Sequence, residues 1–195
     1  ERLSSTVQMR PKAPVVVDAV FVSASQIQVN WQNQSSVATG YQVQQRISGT
    51  WTNVGSQVGA TAQTNTITGA FLPGTTYEFQ VLAYRSTTIT YSANPASFAS
   101  VTTPAYPQTP TALAAVANSD TAIGLSWSLP PSSDETGFIL ERKPTGSTTW
   151  NLVSDAIPAG ATSYSDVVPS EGAVTSYQYR LRAFNASGAS AERLS

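Results

Sequence analysis

The sequence predicts an all-β chain folded as two antiparallel β-sandwiches in tandem. Short runs with an apolar residue at every second position are separated by turns rich in Gly, Ser, Thr and Pro, and this period is typical of strands with one buried face. The runs recur in the same order in two halves of the chain. Between the halves lies TTPAYPQTP, residues 102–110, whose prolines indicate a short, stiff connector.

Each half has the strand spacing of an antiparallel sandwich, which uses about seven short strands. In the first half the runs lie near residues 15–22, 26–32, 39–46, 51–54, 64–69, 75–84 and 96–103. In the second half they lie near residues 111–117, 121–128, 136–143, 149–153, 162–167 and 175–184, with the seventh run incomplete. We expect each half to have its own core. The residues expected in the two cores are Trp31, Tyr41, Tyr77, Phe79 and Val81, and then Trp127, Phe138, Leu140, Tyr177 and Leu181.

Matching motifs support two copies of one unit. The run IQVNW at 27–31 returns as IGLSW at 123–127, and YEFQVLA at 77–83 returns as YQYRLRA at 177–183. The separations are similar, and the small differences between them indicate insertions in loops.

These residues resemble the fibronectin type III family. The first half has Trp31 in its second strand, then GYQVQQR, Trp51 and LPGTTYEFQVLA; the second half has LSWSLPP, TGFILERK, Trp150 and TSYQYRLRAFNASG. The resemblance implies two immunoglobulin-like sandwiches with strands A to G. It also implies a tyrosine corner at Tyr77 and Tyr177, in which the hydroxyl ties strand F to the chain upstream. The second half departs from the pattern, with VVPSEGAVTSY where the first has LPGTTY.

The same four residues, Glu-Arg-Leu-Ser, stand at both ends, as residues 1–4 and 192–195. A chance match has odds of roughly one in 10^5 at average residue usage, so the match indicates a repeat. With the two copies overlaid, the N-terminal residues read as the last strand, strand G, of a preceding second half. We therefore expect a strand G-like arm and linker at 1–12, one domain at 13–104, and a second domain at 105–195 with strand G incomplete.

The arm is expected to pair with strand F of a second domain in a neighbouring copy. Without it, Tyr177–Phe184 would be an open edge, which proteins normally cover. Alternation would turn Leu3, Val7 and Met9 towards the core. The residues expected at this assembly interface are Leu3, Ser5, Val7, Met9, Tyr177, Tyr179, Leu181, Arg193 and Leu194.

The partners implied are neighbouring copies of the chain, joined head to tail. They are either repeats of one longer protein or separate chains joined by strand addition. Basic residues prevail in the arm and acidic ones in the second domain, which favours docking. The alternative is that residues 1–10 are an unstructured leftover.

Composition argues against an enzyme. The chain has no His and no Cys, which removes the commonest general base, thiolate chemistry and zinc–cysteine sites. Asp134-Glu135 is the only adjacent acidic pair, and we expect it to face water. We expect no cofactor and no metal. A net charge of −1 and the absence of a run of about 18 apolar residues predict neither nucleic-acid binding nor a membrane span.

Two weaker binding sites are possible in the sequence. The loop YRSTTITYSANPA at 84–96 offers Ile89 and Tyr91 to a ligand, although the same residues could form a plain hairpin. Trp51, Trp150 and Tyr106 could stack on a sugar, or cover the sheet edge and the domain junction. A cell-surface protein or polysaccharide would be the partner. Two glycosylation sequons begin at Asn33 and Asn185.

The function expected is a non-enzymatic structural or interaction module outside the cell. The leading hypothesis is the repeat unit of a fibre, stalk or surface adhesin, secreted or on the cell surface. The alternative is a spacer pair from a secreted polysaccharide-degrading enzyme. A receptor ectodomain is disfavoured because cysteines are absent.

Overall fold

The computed structural model describes residues 9–86, 90–132, 134–169 and 176–195, and its regular elements are antiparallel β-strands. The chain divides after Thr103 into two compact units. The predicted fold class is confirmed, since each unit contains two sheets around a core. In the parts of the chain so described, no helix is long and apolar enough to cross a membrane.

Unit one contains the first nine strands. They are β1 (Val15–Ser23), β2 (Gln26–Gln32), β3 (Gly40–Ile47), β4 (Thr50–Asn53), β5 (Val58–Gly59), β6 (Thr64–Thr68), β7 (Thr76–Arg85), β8 (Thr90–Tyr91) and β9 (Ala99–Thr102). One sheet has the order β1-β2-β6. The other has the order β4-β3-β7-β8, in which β5 also pairs with β3 and β9 with β7.

Unit two repeats this arrangement. Its strands are β10 (Thr111–Ser119), β11 (Ala122–Ser128), β12 (Gly137–Pro144), β13 (Asn151–Pro158), β14 (Ser163–Val167), β15 (Tyr177–Asn185), β16 (Gly188–Ala189) and β17 (Arg193–Leu194). The sheets have the orders β10-β11-β14 and β13-β12-β15-β16, and β17 also pairs with β15. Strand F is thus β7 in unit one and β15 in unit two.

Alternation along each strand places the core. In β2, Ile27 and Val29 are buried while their neighbours Gln26 and Gln28 are not, as a strand with one buried face requires. The β3–β4 connection is a two-residue turn in which Ser48 and Gly49 have φ of 49° and 82°. Positive φ at both central residues is typical of the turn that matches the twist of a hairpin.

The predicted cores are largely confirmed. Trp31 and Trp127 are almost fully buried, each with its ring 5.6 Å from the next core ring, Tyr41 or Phe138. Tyr77 and Tyr177 differ from the prediction, because they are half-buried and pack against the margins of the cores.

Tyr77 is half-buried because its hydroxyl reaches the margin of the sandwich. The Leu72 N–H donates a hydrogen bond of 2.8 Å to this hydroxyl. The tyrosine corner expected at Tyr77 is therefore confirmed. The upstream segment that would face Tyr177 in the same way lies outside the described residues.

Candidate functional site

The edge of β15 in unit two is the surface where the sequence places an assembly contact. On this side β16 pairs with Phe184 and Asn185, and β17 pairs with Arg180 and Leu181. The Ser195 N–H donates to the Tyr179 carbonyl at 3.0 Å. Residues of the same chain thus cover the edge from Asn185 to Tyr179, and the prediction of an open edge is wrong for that part.

The ladder at this edge is shorter than the corresponding ladder of unit one. There, β9 pairs with all four residues from Thr76 to Phe79. In unit two the ladder reaches only as far as Tyr179. Tyr179 is equivalent to Phe79, because the two residues pair with equivalent positions of β12 and β3. Within the described part of the chain, Tyr177 and Gln178 have no backbone partner on this side.

A serine of the strand beside β15 binds the backbone of β15 through its side chain and its N–H. The Ala183 N–H donates to Ser190 Oγ at 3.1 Å, and the Ser190 N–H donates to the Ala183 carbonyl at 2.8 Å. Unit one repeats both bonds between Ala83 and Ser92, at 3.2 and 2.7 Å. Both serines are buried. In unit two the pairing register shifts by one residue between β16 and β17, as it does at a β-bulge.

This register shift reverses the face of the sheet on which each side chain of the last strand lies. It inserts one extra residue before β17, and the side chains beyond it point to the opposite faces. Leu194 consequently lies opposite Arg180 on the outer face of the sheet and is 54% exposed, and Arg193 lies opposite Leu181. Leu194 has the position that Leu3 takes when the two tetrapeptides are overlaid, and in this register it faces away from the core. Leu3 itself lies outside the described residues.

The remaining residues expected at the interface differ in burial, and some of them lie outside the described residues. The side chains of Tyr179 and Leu181 are buried in the core, so only their backbone groups are available at the edge. Tyr177 is half-buried, and the Arg142 guanidinium lies 5.2 Å from its ring centroid. Met9 is 64% exposed, and the other three expected arm residues, Leu3, Ser5 and Val7, lie outside the described residues.

Charged side chains form a network on the outer face beside this edge. Arg180 binds Glu141 through two bonds, Nε to Oε2 at 2.6 Å and Nη2 to Oε1 at 2.9 Å. Arg180 Nη1 also binds Glu192 at 3.0 Å, and Arg182 reaches Glu141 at 3.0 Å. The hydrogen bonds from Arg180 hold the pKa of Glu141 below its ordinary value, and Glu141 in turn raises the pKa of Arg180.

Trp150 closes this network on the side of β12. The Arg180 Cζ lies 4.7 Å and the Lys143 Nζ 4.9 Å from its ring centroid, distances typical of cation–π contacts. In unit one, Trp51 has Arg46 at 5.9 Å and the Phe98 ring at 6.1 Å. Both tryptophans therefore pack against neighbouring side chains of their own unit.

A buried polar group that sequence reasoning missed lies on β14, in the other sheet of unit two. Asp166 is only 4% exposed, and its Oδ2 accepts hydrogen bonds of 2.7 Å from Arg142 Nη1 and from the Tyr179 hydroxyl. Burial and the bond to Asp166 raise the pKa of Tyr179. Burial works against the charge of Arg142, but Asp166 outweighs it and raises the pKa of Arg142.

An alignment of the two units would have identified Asp166 from the sequence. Asp166 pairs with Ile123 at the position where Ile67 pairs with Ile27, so a carboxylate replaces a core isoleucine. Buried charges need partners, and a search for one leads to the arginine on the next sheet.

The loop proposed as a ligand site in unit one is a hairpin at its described end. Tyr91 in β8 pairs with Tyr84 in β7, with the two ring centroids 6.1 Å apart. Its hydroxyl accepts a hydrogen bond of 3.1 Å from Gln57. Ile89 lies outside the described residues.

Tyr106 borders a shallow groove in unit two. The groove has a volume of about 550 Å³ and is lined by Ala105, Tyr106, Gln108, Pro131, Ser132 and Asp134. The ring is 55% exposed and packs on Gly188, where an added Cβ would come within 2.8 Å of it. Gly188 also has a φ of 131°, so the turn that supports Tyr106 needs glycine.

The acidic pair beside this groove makes hydrogen bonds within unit two. Asp134 Oδ2 accepts from the Asn185 amide at 3.4 Å, and Glu135 Oε1 accepts from the Gly160 N–H at 3.2 Å. Among the residues that the structure describes, no three acidic side chains come together in the way a metal ion would need.

The side-chain nitrogen of each sequon asparagine, the atom that would carry a glycan, donates a hydrogen bond to a backbone carbonyl. Asn33 Nδ2 donates to the Ala60 carbonyl at 3.1 Å. Asn185 Nδ2 donates to the Ala105 carbonyl at 2.8 Å, and Ser187 Oγ donates to the Pro104 carbonyl at 2.7 Å. The second sequon thus fastens the segment that enters unit two to its F–G turn.

Comparison with known families matches the part of the chain that forms unit one. Residues 12–98 match the family model of the fibronectin type III domain, and no curated protein matches the chain. A two-domain fibronectin type III segment of chicken tenascin is 16% identical over 96% of this chain and 98% of that one, with a TM-score of 0.42.

Two further solved structures are similar. The FN1–FN3 domains of chicken CNTN1 are 18% identical over 94% of this chain and 65% of that one, with a TM-score of 0.43. A structure of titin kinase and its flanking domains is 28% identical over 46% of this chain and 16% of that one, with a TM-score of 0.39.

Unit one matches the family model, carries the tyrosine corner and has the expected strand order. Unit two repeats that strand order, its F-strand register and its buried serine. Unit one therefore matches the fibronectin type III family, and unit two is a second sandwich with the same strand order.

Proposed function

We propose that this tandem pair is a non-enzymatic structural and interaction module of an extracellular or cell-surface protein, and that it repeats head to tail. Fibronectin type III domains are modules of structural and interaction proteins, are generally non-catalytic, and are common outside the cell. The absence of His and Cys from the sequence agrees with a role that needs no catalytic group.

The observation that carries the proposal is the fit of the repeated tetrapeptide to the β15 edge. Residues 192–195 pair with β15 through Leu194 and Arg193, and residues 1–4 have the identical sequence. Residues 1–4 therefore carry the same side chains as the four residues that this edge holds. Main-chain hydrogen bonds would supply their affinity and the alternate side chains their register.

In the observed register a segment with the sequence of residues 1–10 would extend the ladder along β15. Ser5 would lie opposite Gln178 and Thr6 opposite Tyr177, as Ser100 and Val101 lie opposite Glu78 and Tyr77 in unit one. Leu3, Val7 and Met9 would then form an apolar row on the outer face.

A contact between different surfaces of two copies generates a filament unless its rotation closes a ring. We therefore favour a fibre, a stalk or a surface adhesin built of these pairs. The segment belongs either to the next repeat of one protein or to a separate chain. The alternative, a spacer pair in a secreted polysaccharide-degrading enzyme, needs no contact between copies.

The test is the mass and shape of the purified chain as its concentration is raised. We expect sedimentation to show growing species and electron micrographs to show filaments. Deletion of residues 1–10 should abolish both, while amide exchange in unit one stays unchanged. A dispersed monomer at every concentration would contradict the proposal and favour the spacer.

A further inference from the structure

We propose that the groove beside Tyr106 in unit two binds neutral sugar residues of a polysaccharide chain. The groove has a volume of about 550 Å³, within the range of about 300–1,000 Å³ that ligand sites use. All of its described lining residues belong to unit two. The proposal goes beyond the contact between copies and does not depend on it.

Two buried prolines, Pro107 and Pro110, fix the segment that carries Tyr106 and Gln108. Proline restricts its own φ and holds the residue before it in an extended conformation. The residues on either side of Pro107 therefore lie on the solvent side, and both Tyr106 and Gln108 are exposed. A segment fixed in this way loses little freedom when a ligand binds.

Hydrogen bonds join the segments that surround the groove. Ser187 Oγ donates to the Pro104 carbonyl at 2.7 Å, and Asn185 Nδ2 donates to the Ala105 carbonyl at 2.8 Å. The same Asn185 amide reaches Asp134 Oδ2 at 3.4 Å. The entering segment, the F–G turn and the β11–β12 loop are thus tied to one another, so the groove is formed before a ligand binds.

The Tyr106 ring is the aromatic surface of this site. It is 55% exposed and is supported by Gly188, which has no side chain to hold the ring away. In the described part of the chain no second ring and no cation packs on it, whereas Trp51 and Trp150 both contact such groups. Of the three aromatic residues considered for sugar stacking, Tyr106 therefore has the ring that is open to a ligand, and a tyrosine combines an apolar face with a polar end.

The polar groups along the groove suit hydroxyl groups better than they suit an anion. Gln108 offers an amide donor and acceptor, Ser132 a hydroxyl that does both, and Asp134 carboxylate acceptors. Sugar hydroxyls likewise donate and accept. Asp134 is the only charged side chain among the described lining residues, so like charge disfavours phosphate, sulfate and uronate ligands.

The entry to unit one has different chemistry at the equivalent positions. Its segment is fixed by the same spacing of buried prolines, Pro11 and Pro14. The residue before the first proline is Arg10 there and Tyr106 in unit two, and the residue after it is Lys12. Two cations thus replace the ring and the amide, so we expect unit one to bind no neutral sugar and to serve as an internal reference.

The test is a titration of the full chain, followed through its backbone amide resonances, with neutral hexasaccharides of glucose, xylose, mannose and N-acetylglucosamine in turn. A shallow site with one ring predicts a dissociation constant of about 1 mM, so each titration extends to about 10 mM. At least one of these sugars should shift the amides of Ala105, Gln108 and Ser132 and leave those of unit one unchanged.

Two further probes, polygalacturonate and a proline-rich peptide, are titrated in parallel. The first tests for an anionic sugar, and the second tests for the extended peptides that aromatic grooves also bind. Shifts at the groove with either of these and with none of the neutral sugars would overturn the proposal. No shift with any neutral sugar, or shifts only away from the groove, would also overturn it.

Two substitutions of equally exposed rings separate this site from general adhesion of sugars to aromatic residues. Tyr106→Ala should weaken the responding sugar by about tenfold or more, as loss of a central aromatic contact does. Phe98→Ala removes a ring of unit one that is 52% exposed and should leave the affinity unchanged. Equal losses in the two variants, or an unchanged affinity in Tyr106→Ala, would contradict the site.

A further variant covers the case in which Tyr106→Ala disturbs the turn at Gly188, which the amide spectrum of unit two would reveal. Gln108→Ala changes an exposed side chain and should weaken the same sugar by about threefold through the lost hydrogen bonds. An unchanged affinity in Gln108→Ala would contradict the assigned contacts. Sedimentation of both variants should match the parent chain, so loss of sugar binding is distinguished from loss of the contact between copies.

Discussion

At the scale of single residues, the two cores have different side chains at equivalent buried positions. Unit one buries Ile67 and Phe79 where unit two buries Asp166 and Tyr179. The carboxylate is stable there because Arg142 and the Tyr179 hydroxyl both bind it. A well-packed apolar set is often as stable as a buried ion pair, whereas half of such a pair is strongly destabilising.

We predict that Arg142→Gln destabilises unit two by about 3 kcal/mol, because Asp166 then loses its positive partner. Gln45 occupies the equivalent position in unit one, so Arg142→Gln introduces the residue that unit one has there. A triple variant that adds Asp166→Ile and Tyr179→Phe should recover to within about 1 kcal/mol of the parent. Denaturant unfolding followed by amide exchange in unit two measures both. A triple variant as unstable as Arg142→Gln would contradict this account.

The tyrosine hydroxyls of unit one differ in their surroundings. The hydroxyl of Tyr77 accepts a hydrogen bond from Leu72, while that of Tyr41 is buried with no partner among the described residues. Tyr77→Phe should lower the free energy of unfolding of unit one by about 1 kcal/mol, and Tyr41→Phe should leave it unchanged or raise it. Thermal unfolding of the matched pair tests this. Equal losses in both variants would refute the assignment of the corner.

At the scale of elements, β12 and β15 are joined by charge on their outer faces. Glu141 accepts two hydrogen bonds from Arg180 and one from Arg182. Burial opposes the charge of Glu141, but the arginines prevail and its pKa lies below the ordinary value. Because the pKa is lower in the folded state, this group stabilises unit two above its unfolded pKa and ceases to do so as pH falls through the folded value.

We therefore expect Glu141→Gln to destabilise unit two near neutral pH, and to destabilise it progressively less as the pH falls below the ordinary glutamate pKa of about 4.3 towards the lowered folded value. Amide exchange of β12 and β15 as a function of pH isolates the effect from other carboxylates. The change in free energy of opening should shrink as the solution is acidified. A difference between parent and variant that stays constant with pH would contradict the prediction.

The strands were predictable from sequence, but the register at the end of β15 was not. Alternation is a local property, so runs such as QIQVNWQ reveal both the strand and its buried face. The facing of Leu194 depends instead on the one-residue register shift between β16 and β17, and nothing in the spacing of the sequence signals that shift. The Arg180–Glu141 bonds join residues 39 apart, so they require knowledge of which strands are neighbours.

At the scale of the whole molecule, the chain is a tandem pair whose second unit has a strand edge suited to a segment of its own sequence. The four residues that pair with β15 recur at the start of the chain. Residues 1–12 include Arg2, Arg10 and Lys12, while acidic residues outnumber basic ones from 105 to 191. Opposite charge would favour the proposed encounter of these two segments, and pairing with β15 would determine its register.

The central claim, that a segment with the sequence of residues 1–10 occupies the β15 edge of a neighbouring copy, is tested most directly by two proline variants. The Ser195 N–H points at β15, so by alternation the N–H of Thr6 would also point there and that of Ser5 would point away. Proline removes the N–H and is tolerated in an edge strand where that group faces solvent. Sedimentation at matched concentrations should show assembly for the parent and Ser5→Pro chains and its loss for Thr6→Pro. Equal assembly of the two variants would contradict the account.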